Sequence, residues 1–172
     1  MRRSAAVATS VVWFVLTGGL GAVLVPWWLT GWRPRHPLPY WGVAQATGAV
    51  LIIAGVIPPV LVFVQFVRAG GTPVPGHMTA RLVVTGLNGR VRNPIYLGAV
   101  TVFVGEALLF GRLSLLLYAA AVWVGAAAFV RWYEEPALAR RFGAEYEVYR
   151  HAVAAWLPRL HPWDPGNPGG TR

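Results

Sequence analysis

Cysteine and lysine are both missing from this chain of 172 residues. Without cysteine there are no disulfides, no thiolate metal sites and no cysteine nucleophile. Without lysine, all 15 basic residues are arginine. Acids are scarce too, six in all, and charged residues make up only 12% of the chain. A soluble domain carries roughly 25%, so the deficit points to a bilayer as the main solvent. Hydrophobic residues at 56% and a mean hydropathy of +0.51 agree with that. A net charge of +9 is compatible with nucleic-acid binding, but the arginines are spread through polar connectors between apolar runs and do not gather on one face. Membrane topology accounts for them better. The four histidines have no metal-ligand spacing, and no phosphate-binding glycine loop, nucleophile elbow or zinc pattern occurs. No metal is expected, and the sequence names no catalytic residue.

What is present is a series of apolar runs. Residues 5–29 follow Arg2 and Arg3 and are long enough to cross a hydrocarbon core of about 30 Å. A cleavable signal peptide also starts in this way, but the run is too long and ends in Pro26-Trp27-Trp28 without a small-residue cleavage site. A Pro-rich loop at 30–40 is flanked by Trp27, Trp28, Trp32, Tyr40 and Trp41, an interfacial aromatic belt. A second helix is predicted over 41–67, kinked or broken at Pro58-Pro59. Gln45 and Gln65 lie near its ends, where polar groups cost little. The connector from Arg68 to Arg92 has a short, partly β-branched middle, residues 81–86, expected to lie against the protein as an extended or turn-like segment. A third helix is predicted over 94–110, a tight turn at Gly111-Arg112, and a fourth helix over 113–132. With a cytoplasmic N-terminus, twelve arginines fall inside and three outside (Arg33, Arg35 and Arg112). The expectation is therefore an all-α integral membrane protein with four spans and both termini cytoplasmic.

Beyond the fourth span, Leu138, Phe142, Tyr146, Tyr149 and Val153 are spaced to share one helical face. They predict an amphipathic C-terminal helix, notched at Gly143. Residues 161–172, rich in Pro and Gly, read as a disordered tail, which leaves residues 1–160 as a single membrane-embedded domain.

Three places carry possible chemistry. In Arg92-Asn93-Pro94-Ile95-Tyr96, Asn93 can cap a helix and Pro94 suits its first position. Free amides and a partial positive charge then face whatever lies in front. Glu134 and Glu135 follow a span and precede a proline. They either sit at a helix start, stabilised by its dipole, or accept hydrogen bonds from a ligand held near the Asn93 corner. Glu106 lies inside the third span, toward its outer end. It is expected either to be protonated or to reach the interface beside Gly111, and an intramembrane acid is a functional candidate by default.

Together these residues resemble the isoprenylcysteine carboxyl methyltransferase family of membrane enzymes, related to the phospholipid methyltransferases. The matching pieces are Leu82-Val83-Val84-Thr85-Gly86, Val91 to Gly98, Glu134-Glu135, Arg141-Phe142-Gly143 with Tyr146 and Tyr149, and Leu157-Pro158-Arg159. They run in order across residues 80–160. The resemblance implies S-adenosyl-L-methionine as cofactor, in a cytoplasmic pocket closed by the C-terminal helix, and methyl transfer to a lipid-like acceptor entering from the bilayer: a carboxylate, an amine or a thiol. It implies cofactor contacts from Leu82, Val83, Asn88, Asn93, Pro94, Tyr96 and Glu134, with Arg131 and Glu135 toward the acceptor. Asn88 stands where the family has an aromatic, and Asn93 where it often has histidine. A sulfonium suits carboxylates and the π-faces of Tyr96, Tyr146 or Tyr149. Two other readings stand beside it: a nicotinamide-dependent, sterol-reductase-like membrane enzyme, and a small proton-coupled transporter built on Glu106.

Overall fold

A computed structural model of the protein describes residues 18–68 and 82–166. The start of the expected first span, Arg81 and the last six residues lie outside the described residues. Regular structure among the described residues is helical throughout: α1 (Leu20–Thr30), α2 (Gly42–Arg68), a single 3-10 turn (Gly86–Gly89), α3 (Pro94–Phe110), α4 (Leu113–Phe142) and α5 (Ala144–Ala152). Two of them, α2 over Gly42–Gln65 and α4, are long and apolar enough to cross a membrane, while α1 and α3 are shorter apolar helices.

The most extensive helix–helix contact among the described residues is between α2 and α3, and glycine makes it close. A Cβ placed on Gly55 would stand 2.7 Å from the Gly98 carbonyl oxygen, and one on Gly98 would stand 2.5 Å from that of Gly55. One turn pair further along, Gly48 and Gly105 meet in the same way, at 2.5 and 2.7 Å. The two backbones therefore touch directly, in antiparallel register. In lipid this matters more than in water, because helix association there relies on close packing and not on the hydrophobic effect. Pro59 presses against Gly98 from the same side.

Proline is handled differently at three places. Pro58-Pro59 does not break α2, which runs as one helix of 27 residues. At Pro26 and Pro136 the preceding turn widens. The Val25 N–H reaches back to the Leu20 carbonyl, and the Glu135 N–H to that of Val130, so each turn is of π type and ends just ahead of the proline. A wider turn lets the chain pass a residue that lacks N–H and whose ring crowds the preceding turn. At Pro26 the deficit is met from across the bundle, since the Tyr118 hydroxyl donates to the Gly21 carbonyl at 3.2 Å. At Pro136 the consequence is a correction to the sequence-based expectation. Glu134 and Glu135 do not open a separate helix; the helical backbone runs through them within α4, which continues to Phe142.

At the Pro-rich end, Gly111 takes a left-handed conformation (φ 61°) and turns α3 into α4. The last carbonyls of α3 are met from the Pro-rich loop and α2. Trp41 Nε1 donates to Leu108, Gln45 Nε2 to Leu109 and the Arg35 amide to Phe110. Glu106 is buried, only 6% exposed, and its Oε2 has no partner among the described residues. It does not reach the interface beside Gly111. At the other end Gly143 (φ 53°) separates α4 from α5.

Larger residues at the glycine contact are expected to force the helices apart. Gly55→Leu or Gly98→Leu should cost about 1–3 kcal/mol or more, as overpacking does. Gly125, where a Cβ meets nothing within 4 Å, is the control: Gly125→Ala should leave stability unchanged or raise it by up to ~1 kcal/mol. Thermal unfolding in a mild detergent measures both.

Candidate functional site

The antiparallel register of α2, α3 and α4 brings the C-terminus of α2, the N-terminus of α3 and the C-terminal part of α4 to one end of the bundle. There Arg92 sits at the entrance to α3, its side chain about one-eighth exposed. Its Nη1 donates to Glu135 Oε1 at 2.7 Å and to the Tyr146 hydroxyl at 3.0 Å, and its Nε donates to the Val153 carbonyl at 2.9 Å. One guanidinium thus ties α3 to α4, to α5 and to the chain beyond α5. Its planar array of donors suits that task as a lysine would not.

The chain after α5 runs back along residues 88–93 as an arm. The Arg92 amide donates to the Ala154 carbonyl (3.0 Å), that of Arg159 to the Arg90 carbonyl (2.9 Å) and that of Trp163 to the Gly89 carbonyl (2.8 Å). Asn93 does not cap α3 with its side chain. Its Nδ2 donates instead to the Ala155 carbonyl at 3.1 Å. Trp163 lies beside Tyr149, ring centres 5.8 Å apart, so the arm ends with an indole packed against the buried Tyr149 ring.

Under the arm is a small core of Val84, Tyr146, Tyr149 and Val153, with Leu82, Leu138 and Phe142 at its edge. This is the shared face that the C-terminal spacing predicts. The extended stretch after Arg81 packs on it, as expected. Tyr146 and Tyr149 are almost fully buried. The Tyr149 hydroxyl donates to the Asn88 carbonyl at 2.7 Å, and burial raises the pKa of both phenols, with the Arg92 charge opposing the rise. Both are neutral, committed groups. Their π-faces are not offered to a cation, which leaves Tyr96 of the three aromatics considered from sequence.

Tyr96 and Glu134, 38 positions apart, meet: the Tyr96 hydroxyl donates to Glu134 Oε2 at 3.1 Å. The π turn Val130–Glu134 decides this by adding a residue to the turn and so setting which way Glu134 and Glu135 face. Glu134 falls to Tyr96 and Glu135 to Arg92. Trp156, from the arm, comes within 6.5 Å of the Tyr96 ring and 6.4 Å of Trp123, ring centre to ring centre. Trp123 is itself 44% exposed on the outside of α4. An aromatic path therefore leads from the apolar surface of the bundle to the Tyr96–Glu134 pair.

The other residues singled out from sequence divide clearly. Leu82 and Val83 are half-buried beside the core. Asn88, Asn93 and Pro94 are buried, with the Asn88 carbonyl and the Asn93 amide engaged by α5 and the arm. Glu135 is buried between Arg92 and Arg131, whose Nη1 is 3.7 Å from Oε2 while its side chain is 72% exposed. Sequence reasoning missed Trp156, and Gln65 as well, whose amide lies against Gly86 (φ 63°) and whose buried Oε1 has no partner among the described residues. The signal for Gln65 was a positive-φ glycine opposite a helix end. For Trp156 there was only an aromatic in an apolar stretch.

The model of one family, phospholipid methyltransferase, matches residues 43–145, well over half of the chain. The chain belongs to the phospholipid methyltransferase family. The match takes in α2, α3, α4 and the start of α5, with Arg92, Tyr96, Glu134 and Glu135 inside it. It stops at Glu145, short of Tyr146 and the arm. No curated protein matches the chain, and no solved structure does. Membership makes the chain a membrane methyltransferase and accounts for the two long apolar helices.

Removing one member of the Arg92–Glu135 pair leaves the other shielded from water and without its shortest charged partner. Glu135→Gln and Arg92→Gln are each expected to cost about 1.5–3 kcal/mol, the range for hydrogen bonds to charged groups. The double variant should cost less than the sum, whereas Arg131→Gln, at an exposed pair, should cost less than ~1 kcal/mol. Denaturant or thermal unfolding of the four proteins tests this.

Proposed function

We propose that the protein transfers a methyl group from S-adenosyl-L-methionine to a lipid-like or membrane-associated small acceptor, at the end of the bundle that carries Tyr96 and Glu134. The observation that carries the reading is the Tyr96–Glu134 hydrogen bond inside the stretch that matches the family. The residues fit the cofactor. Its sulfonium is a cation, which a carboxylate and aromatic π-faces accommodate, and Glu134, Tyr96 and Trp156 supply both. When bound, S-adenosylmethionine brings an activated methyl group, so this chain needs no covalent nucleophile. Its part is to hold two reactants in line, which can be worth about 7–11 kcal/mol.

Each residue then has a role. Glu134 accepts hydrogen bonds from the cofactor, sharing them with Tyr96. Leu82 and Val83 border the pocket with backbone. Asn88 and Asn93 shape the wall by holding α5 and the arm, and Pro94 lines it. Glu135 acts through Arg92. Arg131, largely exposed, meets the polar end of the acceptor, whether carboxylate, amine or thiol. The acceptor enters from the bilayer. The topology in this reading is four spans, α1 to α4, with both termini and the site cytoplasmic. It rests on the arginine asymmetry, twelve against three. The family match speaks against the reductase and transporter alternatives, and Glu106 lies ten positions from Tyr96, about 15 Å along α3.

In titrations with S-adenosylhomocysteine, Glu134→Ala is expected to weaken binding by about ten- to a hundredfold, from a loss of about 1.5–3 kcal/mol. Tyr96→Ala should weaken it too, with the pair less than additive, and Glu106→Gln should leave it unchanged. Unaltered affinity in a folded Glu134→Ala protein would remove that residue from the site. The chain contains no cysteine, so single-cysteine variants report topology cleanly. Labelling by a membrane-impermeant maleimide in intact cells is expected at position 36 and not at position 145, and the reverse pattern overturns the orientation.

A further inference from the structure

The Pro-rich end of the molecule carries charge of one sign. Of the six acids, Glu134, Glu135, Glu145, Glu147 and Asp164 lie at the Arg92 end, and Glu106 is buried among the helices. The Pro-rich end holds Arg33, Arg35, Arg112 and His36, and among the described residues none of them is in a salt bridge. Between residues 34–37 and 111–114 is an open cleft of about 750 Å³, with Arg35, His36, Arg112 and Ser114 on its walls.

The cleft is built and not a chance gap between loose loops. The Arg35 amide is bonded to Phe110, and Arg112 Nη2 donates to the carbonyls of Arg33 (3.2 Å) and Thr30 (3.4 Å). Trp32 packs on Phe110 at 5.3 Å. A Cβ on Gly111 would strike the Arg35 carbonyl, so the two walls approach as closely as glycine allows. Arg112 on the cleft wall is left short of one acceptor: its Nε is buried and has no partner among the described residues. A shielded guanidinium donor without an acceptor is costly, and the Arg112 charge, with no acid beside it, adds to the positive potential over the cleft. Arg112 also precedes the first turn of α4, a helix of 30 residues whose N-terminus has no side-chain cap, which adds positive potential.

Which anion is decided by the surroundings. Trp27, Trp28, Trp32 and Tyr40 are all exposed around this end, Trp28 at 79% and Tyr40 at 93%. Exposed Trp and Tyr of this kind sit at the headgroup level of a bilayer. We propose that the cleft binds the phosphodiester of an anionic phospholipid in the outer leaflet, with Arg35, His36 and Arg112 around the phosphate. The proposal rests on the reading of this end as an outer membrane surface and is independent of methyl transfer. A zwitterionic lipid would bring its own cation into a cleft that offers no carboxylate.

Native mass spectrometry of the full-length protein in detergent tests it, with phosphatidylglycerol, phosphatidylcholine and glycerol phosphate added separately. The expected result is retained phosphatidylglycerol on the wild type and little retention of the other two. Arg35→Gln with His36→Gln keeps the Arg35 amide bond and should cut retention at least about fivefold, the loss of one basic group near a membrane surface. Arg35→Lys should keep most of it, and Arg140→Gln, at the opposite end, all of it. Equal retention by the double variant and the wild type overturns the proposal. So does equal retention of phosphatidylcholine, and so does glycerol phosphate binding without lipid binding, which would make this a site for a soluble anion.

Discussion

Gly48 and Gly55 on α2 meet Gly105 and Gly98 on α3 with no space for a single added carbon on either side. The placement of everything at the Arg92 end depends on this contact. It sets the register of α3 against α2, and with it the height of Arg92, Asn93 and Tyr96 at the start of α3. In a lipid environment there is little hydrophobic gain in pressing two apolar helices together, so the closeness of the backbones supplies the attraction. Side chains at these four positions would hold the helices apart and let the register slide.

Arg92 converts that register into a site. It is shielded from water, and a shielded guanidinium is tolerated only when its donors are matched. Glu135, the Tyr146 hydroxyl and the Val153 carbonyl match them. Because those partners come from α4, α5 and the arm, satisfying one charge orders three pieces of chain. The two adjacent glutamates are thereby given different work. Glu135 is engaged by Arg92, while among the described residues Glu134 meets only a tyrosine hydroxyl and keeps spare acceptor capacity. The π turn ahead of Pro136 is what separates them, and it follows from a proline that a regular helix cannot hold without losing a bond.

The two ends of the bundle are chemically unlike. At the Arg92 end acids and arginines are mixed and mutually satisfied, with an aromatic path toward the lipid-facing surface. At the Pro-rich end the cations stand without acids among exposed tryptophans. The acids are distributed even more unequally than the arginines, which leaves an uncompensated positive cleft at the end with fewer arginines.

Composition and apolar run length were enough to determine the helical class, the bounds of α3, the turn at Gly111 and the buried face of α5, since these depend on local periodicity and on residues with special backbone freedom. That Tyr96 and Glu134 lie at the same end of neighbouring helices also followed from counting apolar runs; that they bond to each other did not. Other features are not local and were decided only by the tertiary structure. The glycines at 48, 55, 98 and 105 are spaced by seven on each helix, a visible signal, but nothing in either helix alone says they face each other. Asn93 reads as a cap and holds the arm instead, because a peptide carbonyl from residue 155 arrives from 62 positions away. Glu134 and Glu135 read as a helix start because proline usually marks one, and the decision to continue through a π turn belongs to the packing around it. Sequence determined which residues are polar enough to need partners in an apolar solvent; only the fold decided which partners they found.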